Sequence, residues 1–215
     1  MSAPTVSVPV GALVAWLGRW QELVARDRDH LTELDKAIGD ADHGLNLDRG
    51  LTAVIEALRE NPPATLDALG RSVGMTLVST VGGASGPLYG TLFLRFGTAA
   101  GATGSVDAAH LADALRAGVD GVAARGRSGA GDKTMLDALL PAVSAFEAAA
   151  GSGPAAAAAA ATDAARAGRD ATAPMIARRG RASYLGERSV GHLDPGAASA
   201  ALLVEALATA LAEDG

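Results

Sequence analysis

Apolar residues recur every three to four positions along almost the whole chain, the spacing that places them on one face of an α-helix. In the first such segment, Leu13, Leu17, Trp20 and Val24 form a single stripe. No segment shows the alternation of β-branched residues that is typical of a strand. The pattern therefore predicts an all-α fold.

Helix-ending residues divide this pattern into eight predicted helices. Pro62 and Pro63 end the second helix, because proline lacks the amide hydrogen that a helix needs. The glycine pair Gly82–Gly83 ends the third helix, and the alanine run 155–161 begins the seventh because alanine has the highest helix propensity. The predicted helices cover about residues 10–30, 45–60, 65–81, 86–100, 107–125 and 133–150, a stretch beginning near 155, and 195–212.

The predicted helices share one even composition, and no long polar linker separates them, so we expect a single domain over residues 1–215. Apolar types make up 49% of the chain but aromatic types only 3%, which predicts a core of small, closely packed side chains. No stretch of 18 or more residues is both apolar and uncharged, and the N-terminus does not resemble a signal peptide. We therefore expect no membrane segment and a cytoplasmic protein.

Composition also excludes several classes of function. The absence of cysteine excludes a disulfide scaffold, a thiolate metal site and a cysteine nucleophile. The net charge of -6 argues against a protein that binds nucleic acid, which needs a basic face. An acidic protein can still bind nucleotides through metal ions.

Three aspartates crowd the segment 34–46. Asp35, Asp40 and Asp42 lie within eight positions, and glycines free the backbone around them. Carboxylates this close repel one another. The repulsion is relieved if all of them are solvated, if one of them is protonated, or if a cation binds between them. Mg²⁺ prefers oxygen ligands and usually shares its shell with substrate phosphates. The segment therefore predicts either a magnesium site or a solvated acidic turn with an aspartate at a helix N-cap.

Two other segments have the features of phosphate-binding loops. His43 and Asn46 stand at the predicted start of the second helix, where unpaired N–H groups favour anions. The small residues 82–86 open the fourth helix and let a backbone approach a phosphate closely, although a tight turn between helices explains them equally well.

The segment 126–134 resembles a Walker A motif but fails its requirements. Asp132 separates Gly131 from Lys133, and the preceding segment is helical and not a strand. We therefore expect a glycine-rich approach to an Asp-capped helix and no P-loop.

A basic loop precedes the last predicted helix. It contains Arg178, Arg179, Arg181 and Arg188, and arginine binds phosphate through two parallel hydrogen bonds. Surface salt bridges are the alternative explanation. Carboxylates for a metal, glycine-rich helix starts for phosphate and arginines for the remaining charge are together the parts that phosphoryl transfer requires.

Four segments, in order, resemble the sequence blocks of one family. They are LDKAIGDADHGLNLDRG, GGASGPLYGTLF, GAGDKTMLDALLPA and GRASYLGERSVGHLDPGA. With these blocks the chain resembles, over nearly its whole length, the nucleotide-binding L subunits of dihydroxyacetone kinase, the DhaL or DAK2-domain family. Ala41 stands where the family often has glycine and Leu47 where it often has methionine, and neither change removes a ligand atom.

The resemblance implies an antiparallel barrel of eight helices with a nucleotide, ADP or ATP, at one end. It implies that Asp35, Asp40 and Asp42 bind two Mg²⁺ ions that bridge the nucleotide phosphates. Arg181 is preferred to Arg178 because it stands in the GRASY block. The implied nucleotide contacts are His43, Gly44, Leu45, Asn46, Ala84, Ser85, Gly126, Met135, Arg181, Asp194, Pro195 and Gly196.

The resemblance also implies partners. A separate K subunit holds dihydroxyacetone covalently on a histidine, and bound ADP is rephosphorylated by an M subunit, a phosphohistidine protein of the sugar phosphotransferase system. A homodimer is expected, with neither nucleic acid nor membrane as a partner. The sequence leaves open an ATP-dependent kinase subunit for another small ketose, such as erythrulose, and a regulatory module that binds nucleotide without catalysis.

Overall fold

The structure is a computed structural model that describes residues 7–213, so residues 1–6 and 214–215 of the predicted domain 1–215 lie outside the described residues. Eight α-helices dominate this part of the chain, as the periodicity predicted. They are α1 (Val10–Ile38), α2 (His43–Glu60), α3 (Leu66–Thr80), α4 (Ser85–Ala100), α5 (Ala108–Gly126), α6 (Leu136–Ala149), α7 (Pro154–Ala171) and α8 (Pro195–Glu213). Short 3₁₀-helices occupy Ala150–Ser152 and Arg181–Ser189.

The helices form a closed ring. Each helix packs against the next one in the chain, and α8 packs against α1 to close the ring. Because most connections are short, consecutive helices run in opposite directions. The C-terminal ends of the odd-numbered helices and the N-terminal ends of the even-numbered helices therefore meet at the same end of this barrel.

The interior is one hydrophobic cluster to which all eight helices contribute. The aromatic rings of α1 and α4 meet inside it, with ring centroids of Trp20 and Tyr89 5.0 Å apart and those of Trp16 and Phe93 5.6 Å apart. Alanine lines much of α7 and α8, so the few large rings fill one side of the barrel and small residues bring the other helices close together.

The first helix is longer than its apolar pattern predicted. It continues past His30 to Ile38, so Asp35 lies on a helix and not in a loop. Leu31, Asp35 and Ile38 are all buried and continue one face of the helix. The carboxylate of Asp35 takes the place of an apolar residue on that face, which is why the periodicity ended early in the sequence.

One further helix boundary and one pair of strands differ from the prediction. The sixth helix begins at Leu136, because the chain turns at Lys133 in the left-handed region with φ 62°. Two short strands, β1 (Val8–Pro9) and β2 (Ser105–Val106), pair antiparallel and tie the start of α1 to the connection between α4 and α5. Strands of two residues are too short to produce a detectable alternation.

Helix α8 alone, among the described residues, is long and apolar enough to cross a membrane by length and composition. Most of this helix is buried against α1, α6 and α7. Its apolar character is therefore that of a core helix.

Candidate functional site

A pocket lies at the end of the barrel where the even-numbered helices begin. Its walls come from the C-terminal end of α1, from the first turns of α2, α4 and α8, from the residues just before α6, and from the loop that carries Arg179 and Arg181. Helix N-termini carry a partial positive charge and unpaired N–H groups. Their convergence makes this end of the barrel suited to an anionic ligand.

The three aspartates of segment 34–46 meet at this pocket. One carboxylate oxygen of each of Asp35, Asp40 and Asp42 lies within 4.8 Å of the other two. Asp35 is buried, whereas Asp40 is exposed and Asp42 half-buried. The turn folds around Asp35, whose Oδ2 accepts hydrogen bonds from the backbone N–H groups of Asp42, at 2.9 Å, and His43, at 3.2 Å.

Two small residues allow this turn. A Cβ atom at Gly39 would collide with Oδ1 of Asp35, so no larger residue fits there without displacing the carboxylate. Ala41 adopts the left-handed region with φ 64°, which is costly for a residue with a Cβ. This is the position at which the sequence departs from the family's glycine, and the backbone keeps the conformation that a glycine would favour.

Arginines face the carboxylates from the other side of the pocket. Nη2 of Arg181 lies 3.0 Å from Oδ2 of Asp40, and Nε of Arg179 lies 3.9 Å from Oδ2 of Asp132. Both arginines line the pocket, whereas Arg178 does not and instead donates its backbone N–H to the carbonyl of Asp132. The pocket thus has an acidic wall and a basic wall.

His43 connects the pocket to the core through a chain of hydrogen bonds. Its Nδ1 lies 3.0 Å from Oγ of Ser85, and its Nε2 lies 2.9 Å from Oγ of Ser199, which is in turn 2.7 Å from the hydroxyl of Tyr89. Burial lowers the pKa of His43, and the charges of the neighbouring aspartates oppose this only in part. A neutral imidazole therefore holds Ser85 at the rim of the pocket.

Asp194 begins α8 and is the most perturbed carboxyl group of the site. Its Oδ2 accepts the backbone N–H of Ala197 at 2.7 Å, the contact of an N-cap residue, and its own N–H donates to Oγ1 of Thr172 at 3.0 Å. Burial raises the pKa of Asp194 to about 7, and the hydrogen bond from Ala197 and the charge of Lys133 offset this in part. The following residues, Pro195 and Gly196, line the pocket.

The start of α6 is fixed by Asp137. Its carboxylate accepts the backbone N–H of Gly131 at 2.5 Å and that of Thr134 at 2.7 Å. The Asp-capped helix start that the sequence predicted is wrong: Met135 occupies the N-cap position without a side-chain cap, Asp137 lies in the first turn, and the carboxylate of Asp132 accepts the N–H of Gly129 at 2.9 Å. This turn places Met135 at the pocket.

Most of the residues that the sequence singled out line this one pocket. They are Asp35, Asp40, Asp42, His43, Ala84, Ser85, Met135, Arg181, Asp194, Pro195 and Gly196. Four others do not line it: Gly44, Leu45, Asn46 and Gly126. Gly44 faces the carbonyl of Arg28 on α1, Leu45 is 51% exposed, and the Asn46 side chain accepts a hydrogen bond from Arg49.

Other residues that line the pocket were not among the nucleotide contacts expected from the sequence: Arg179 was named only as part of the basic loop, and Ile38, Leu88, Tyr89, Lys133 and Thr134 were not expected as contacts. Leu88 and Tyr89 lie three and four positions after Ser85, so helical spacing from a suspected phosphate-binding residue could have indicated them. Lys133 stands in the segment that resembles a Walker A motif, but only the fold shows where its side chain goes.

Comparison with known proteins places this chain in a family. Residues 37–209 match the family described as the DAK2 domain. The chain is 45% identical over 192 residues to the ADP-binding subunit DhaL of PEP-dependent dihydroxyacetone kinase 1 from Listeria innocua, covering 89% of this chain and 92% of that protein. It is 43% identical to the corresponding ADP-binding subunit DhaL from Escherichia coli, covering 94% of this chain and 97% of that one.

A solved structure has the same fold. The dihydroxyacetone kinase from C. freundii, in complex with AMP-PNP and Mg²⁺, matches with a TM-score of 0.71 and 27% identity, over 97% of this chain and 36% of that one. The ordered sequence blocks, the ring of eight helices and these matches agree. The chain therefore belongs to the DAK2-domain family, with the ADP-binding DhaL subunits of dihydroxyacetone kinase among its relatives.

Proposed function

We propose that this chain is the nucleotide-binding subunit of a dihydroxyacetone kinase. It transfers a phosphoryl group to dihydroxyacetone held on a separate K subunit, and its bound ADP is rephosphorylated by the phosphohistidine of an M subunit. One observation carries the proposal above all: three carboxylates, four helix starts and Arg181 converge on a single pocket. The names of its DhaL relatives, which are ADP-binding subunits, support it.

The donor set of the acidic wall fits magnesium. Asp35, Asp40 and Asp42 offer only carboxylate oxygens, the ligands that Mg²⁺ prefers. The ion pair between Asp40 and Arg181 indicates that a positive charge is favourable there. We propose that these residues hold two Mg²⁺ ions, which when bound would neutralise phosphate charge and orient the transferred group.

The other walls supply the nucleotide contacts in this proposal. The first turn of α2, with His43, Gly44, Leu45 and Asn46, contacts the phosphates in this proposal, since the partial positive charge of a helix N-terminus favours anions. Arg181 neutralises charge that the metal ions leave uncompensated. The remaining contacts are Ala84, Ser85, Met135, Asp194, Pro195 and Gly196 around the pocket, and Gly126, which lies near the lining residue Leu88.

The arrangement performs phosphoryl transfer by positioning. Such a reaction needs an acceptor oxygen in line with the phosphorus and charge stabilisation around it, and no covalent nucleophile from this chain. The pocket lies at the end of the barrel, so an acceptor presented by a docked partner can approach a phosphate held there. Of the other histidines, His30, His110 and His192 are exposed, and none of them lines the pocket.

Replacing one proposed metal ligand tests the site. We expect Asp40→Asn to keep the helical circular dichroism of the parent but to bind Mg-ADP at least tenfold more weakly, a loss of about 1.4 kcal/mol or more. Asp163→Asn, at an exposed position on α7, is the matched control and should bind like the parent. If calorimetry shows that Asp40→Asn binds Mg-ADP as tightly as the control, the metal role is wrong.

Reconstitution tests the division of labour. Purified chain with Mg²⁺, dihydroxyacetone and a phosphoryl donor, either ATP or phosphorylated M subunit, should give dihydroxyacetone phosphate only when a K subunit is added. A supply of phosphorylated M subunit should sustain turnover better than ATP, and erythrulose serves as the competing acceptor. Equal turnover by the isolated chain would refute the need for a K subunit. We also propose a homodimer that acts in the cytoplasm, and sedimentation would test the oligomeric state.

A further inference from the structure

Lys133 is a buried lysine beside the pocket. It is one of two lysines in the chain, and only 1% of its surface is exposed. It follows Asp132 in the glycine-rich segment that resembles a Walker A motif, where a lysine would reach toward phosphates. Its ammonium here points elsewhere.

The Lys133 ammonium contacts backbone carbonyls at both ends of one loop, residues 172–191, here called the arginine loop. Its Nζ lies 2.6 Å from the carbonyl oxygen of Ser189, 3.1 Å from that of Met175 and 3.5 Å from that of Ala173. A lysine ammonium has three donors and no acceptor, so these three carbonyls match its full capacity. Two of them lie where the loop leaves α7 and one lies where it returns.

Several other contacts also hold the arginine loop, because the N–H of Arg178 donates to the carbonyl of Asp132 at 3.0 Å and Arg181 forms an ion pair with Asp40. The two ends of the loop share one backbone hydrogen bond, from Gly191 to Ala173 at 2.8 Å, and Oγ of Ser189 accepts the N–H of Ala177 at 2.9 Å. The middle of the loop rests on α1 through a small apolar cluster of Ile38, Ala177 and Ala182. Lys133 therefore joins both ends of this loop to the residues just before α6, beside the contact that Arg178 makes with Asp132.

A buried ammonium is costly unless it is well paired. Burial lowers the pKa of Lys133, and the nearby carboxyl group of Asp194 opposes this. An apolar residue of similar size would avoid the desolvation cost but would leave the three carbonyls without their donor. The geometry thus explains why a charged side chain occupies this position.

We propose that Lys133 is a positioning residue whose ammonium clamps both ends of the arginine loop to the start of α6 and thereby holds Arg179 and Arg181 against the pocket. The consequence for nucleotide binding rests on the proposed function. The clamp itself does not, because it concerns only how the loop is held in the protein without ligand.

The first test needs no substitution. Amine labelling of the native protein, followed site by site with peptide mass spectrometry, compares Lys133 with Lys36, whose side chain is 65% exposed. Labelling of Lys133 requires the loop to open, so we expect it to be at least about 100-fold slower than that of Lys36. Similar rates at the two lysines would overturn the clamp.

The second test replaces the ammonium by a neutral group of the same shape. Because the chain contains no cysteine, an introduced cysteine is the one thiol that the alkylating reagent can modify. Lys133→Cys, alkylated in denaturant with 2-bromoethylamine and refolded, regains a lysine-like ammonium, whereas alkylation with 1-bromopropane gives a neutral side chain of the same length. Lys36→Cys treated in the same two ways is the matched control.

Trypsin cleavage after Arg178, Arg179 and Arg181 reports the state of the loop. We expect the propylated protein to be cut at least about tenfold faster than the aminoethylated one, which should resemble the parent, while both keep the parent's helical content. The propylated protein should also release Mg-ADP at least about tenfold faster. Both Lys36 proteins should behave like the parent.

The outcomes separate the two proposals. Equal cleavage of the two Lys133 derivatives would overturn the clamp. Faster cleavage with unchanged release of Mg-ADP would overturn the positioning of the arginines. If no form of the protein binds Mg-ADP, the proposed function fails while the clamp is still judged by cleavage. If neither derivative refolds, the labelling rates of the native protein decide.

Discussion

Replacing Asp194 by asparagine should make the protein more stable at alkaline pH. The carboxyl group is buried at the start of α8, and its Oδ2 accepts the N–H of Ala197 at 2.7 Å. Asparagine is also a good N-cap residue and can accept the same hydrogen bond. The substitution therefore keeps the cap and removes the ionisation.

The magnitude follows from the pKa. Burial raises the pKa of Asp194 from 3.8 to about 7, so between these values the folded protein binds more protons than the unfolded chain. Stability then falls as the pH rises from about 4 to about 7, and the loss is complete above that range. At about 1.4 kcal/mol per pH unit, the full loss is about 4 kcal/mol.

The assay is urea unfolding of parent and Asp194→Asn at pH 4 and at pH 8, in chelator and without nucleotide. Other carboxyl groups titrate in both proteins, so the difference between the two free energies of unfolding isolates Asp194. We expect this difference to move in favour of the variant by about 4 kcal/mol between the two pH values. Asp163→Asn should show no such change. A difference that stays constant with pH would refute the assignment of a raised pKa.

Glycine and alanine substitutions test the backbone, each by urea unfolding. A Cβ at Gly168 of α7 would collide with the carbonyl of Asp137 on α6, so Gly168→Ala should lower the free energy of unfolding by about 1–3 kcal/mol. Gly18 has open space around it, so Gly18→Ala should raise the free energy of unfolding by about 0.5–1 kcal/mol. Equal effects at both positions would contradict the close contact. Ala41→Gly should raise the free energy of unfolding by about 0.5–1 kcal/mol because φ is 64° at this position. Ala156→Gly in α7 is the control and should lower the free energy of unfolding by a similar amount. Effects of the same sign at the two positions would contradict the strain at Ala41.

Much of the fold could be predicted from the sequence because helical periodicity is a local property. Apolar spacing, proline and glycine pairs placed eight helices and most of their ends. The exception at Asp35 has a clear cause, since a charged residue occupied a buried helical position and hid the last two turns of α1. The candidate site was also visible in part, because aspartate, glycine and arginine are rarely so dense in loops that serve only as connections.

The sequence by itself determined the helices, the chemical types of the site residues and the family to which the chain belongs. Only the tertiary structure decided which of those residues meet, because closure of the ring brings segments far apart in the chain to one end of the barrel. It also decided the direction of side chains: Arg181 faces Asp40, while the ammonium of Lys133 donates to the carbonyl of Ser189 in the arginine loop. The residue type determines the charge of a side chain, whereas the packing of the fold determines which group that side chain contacts.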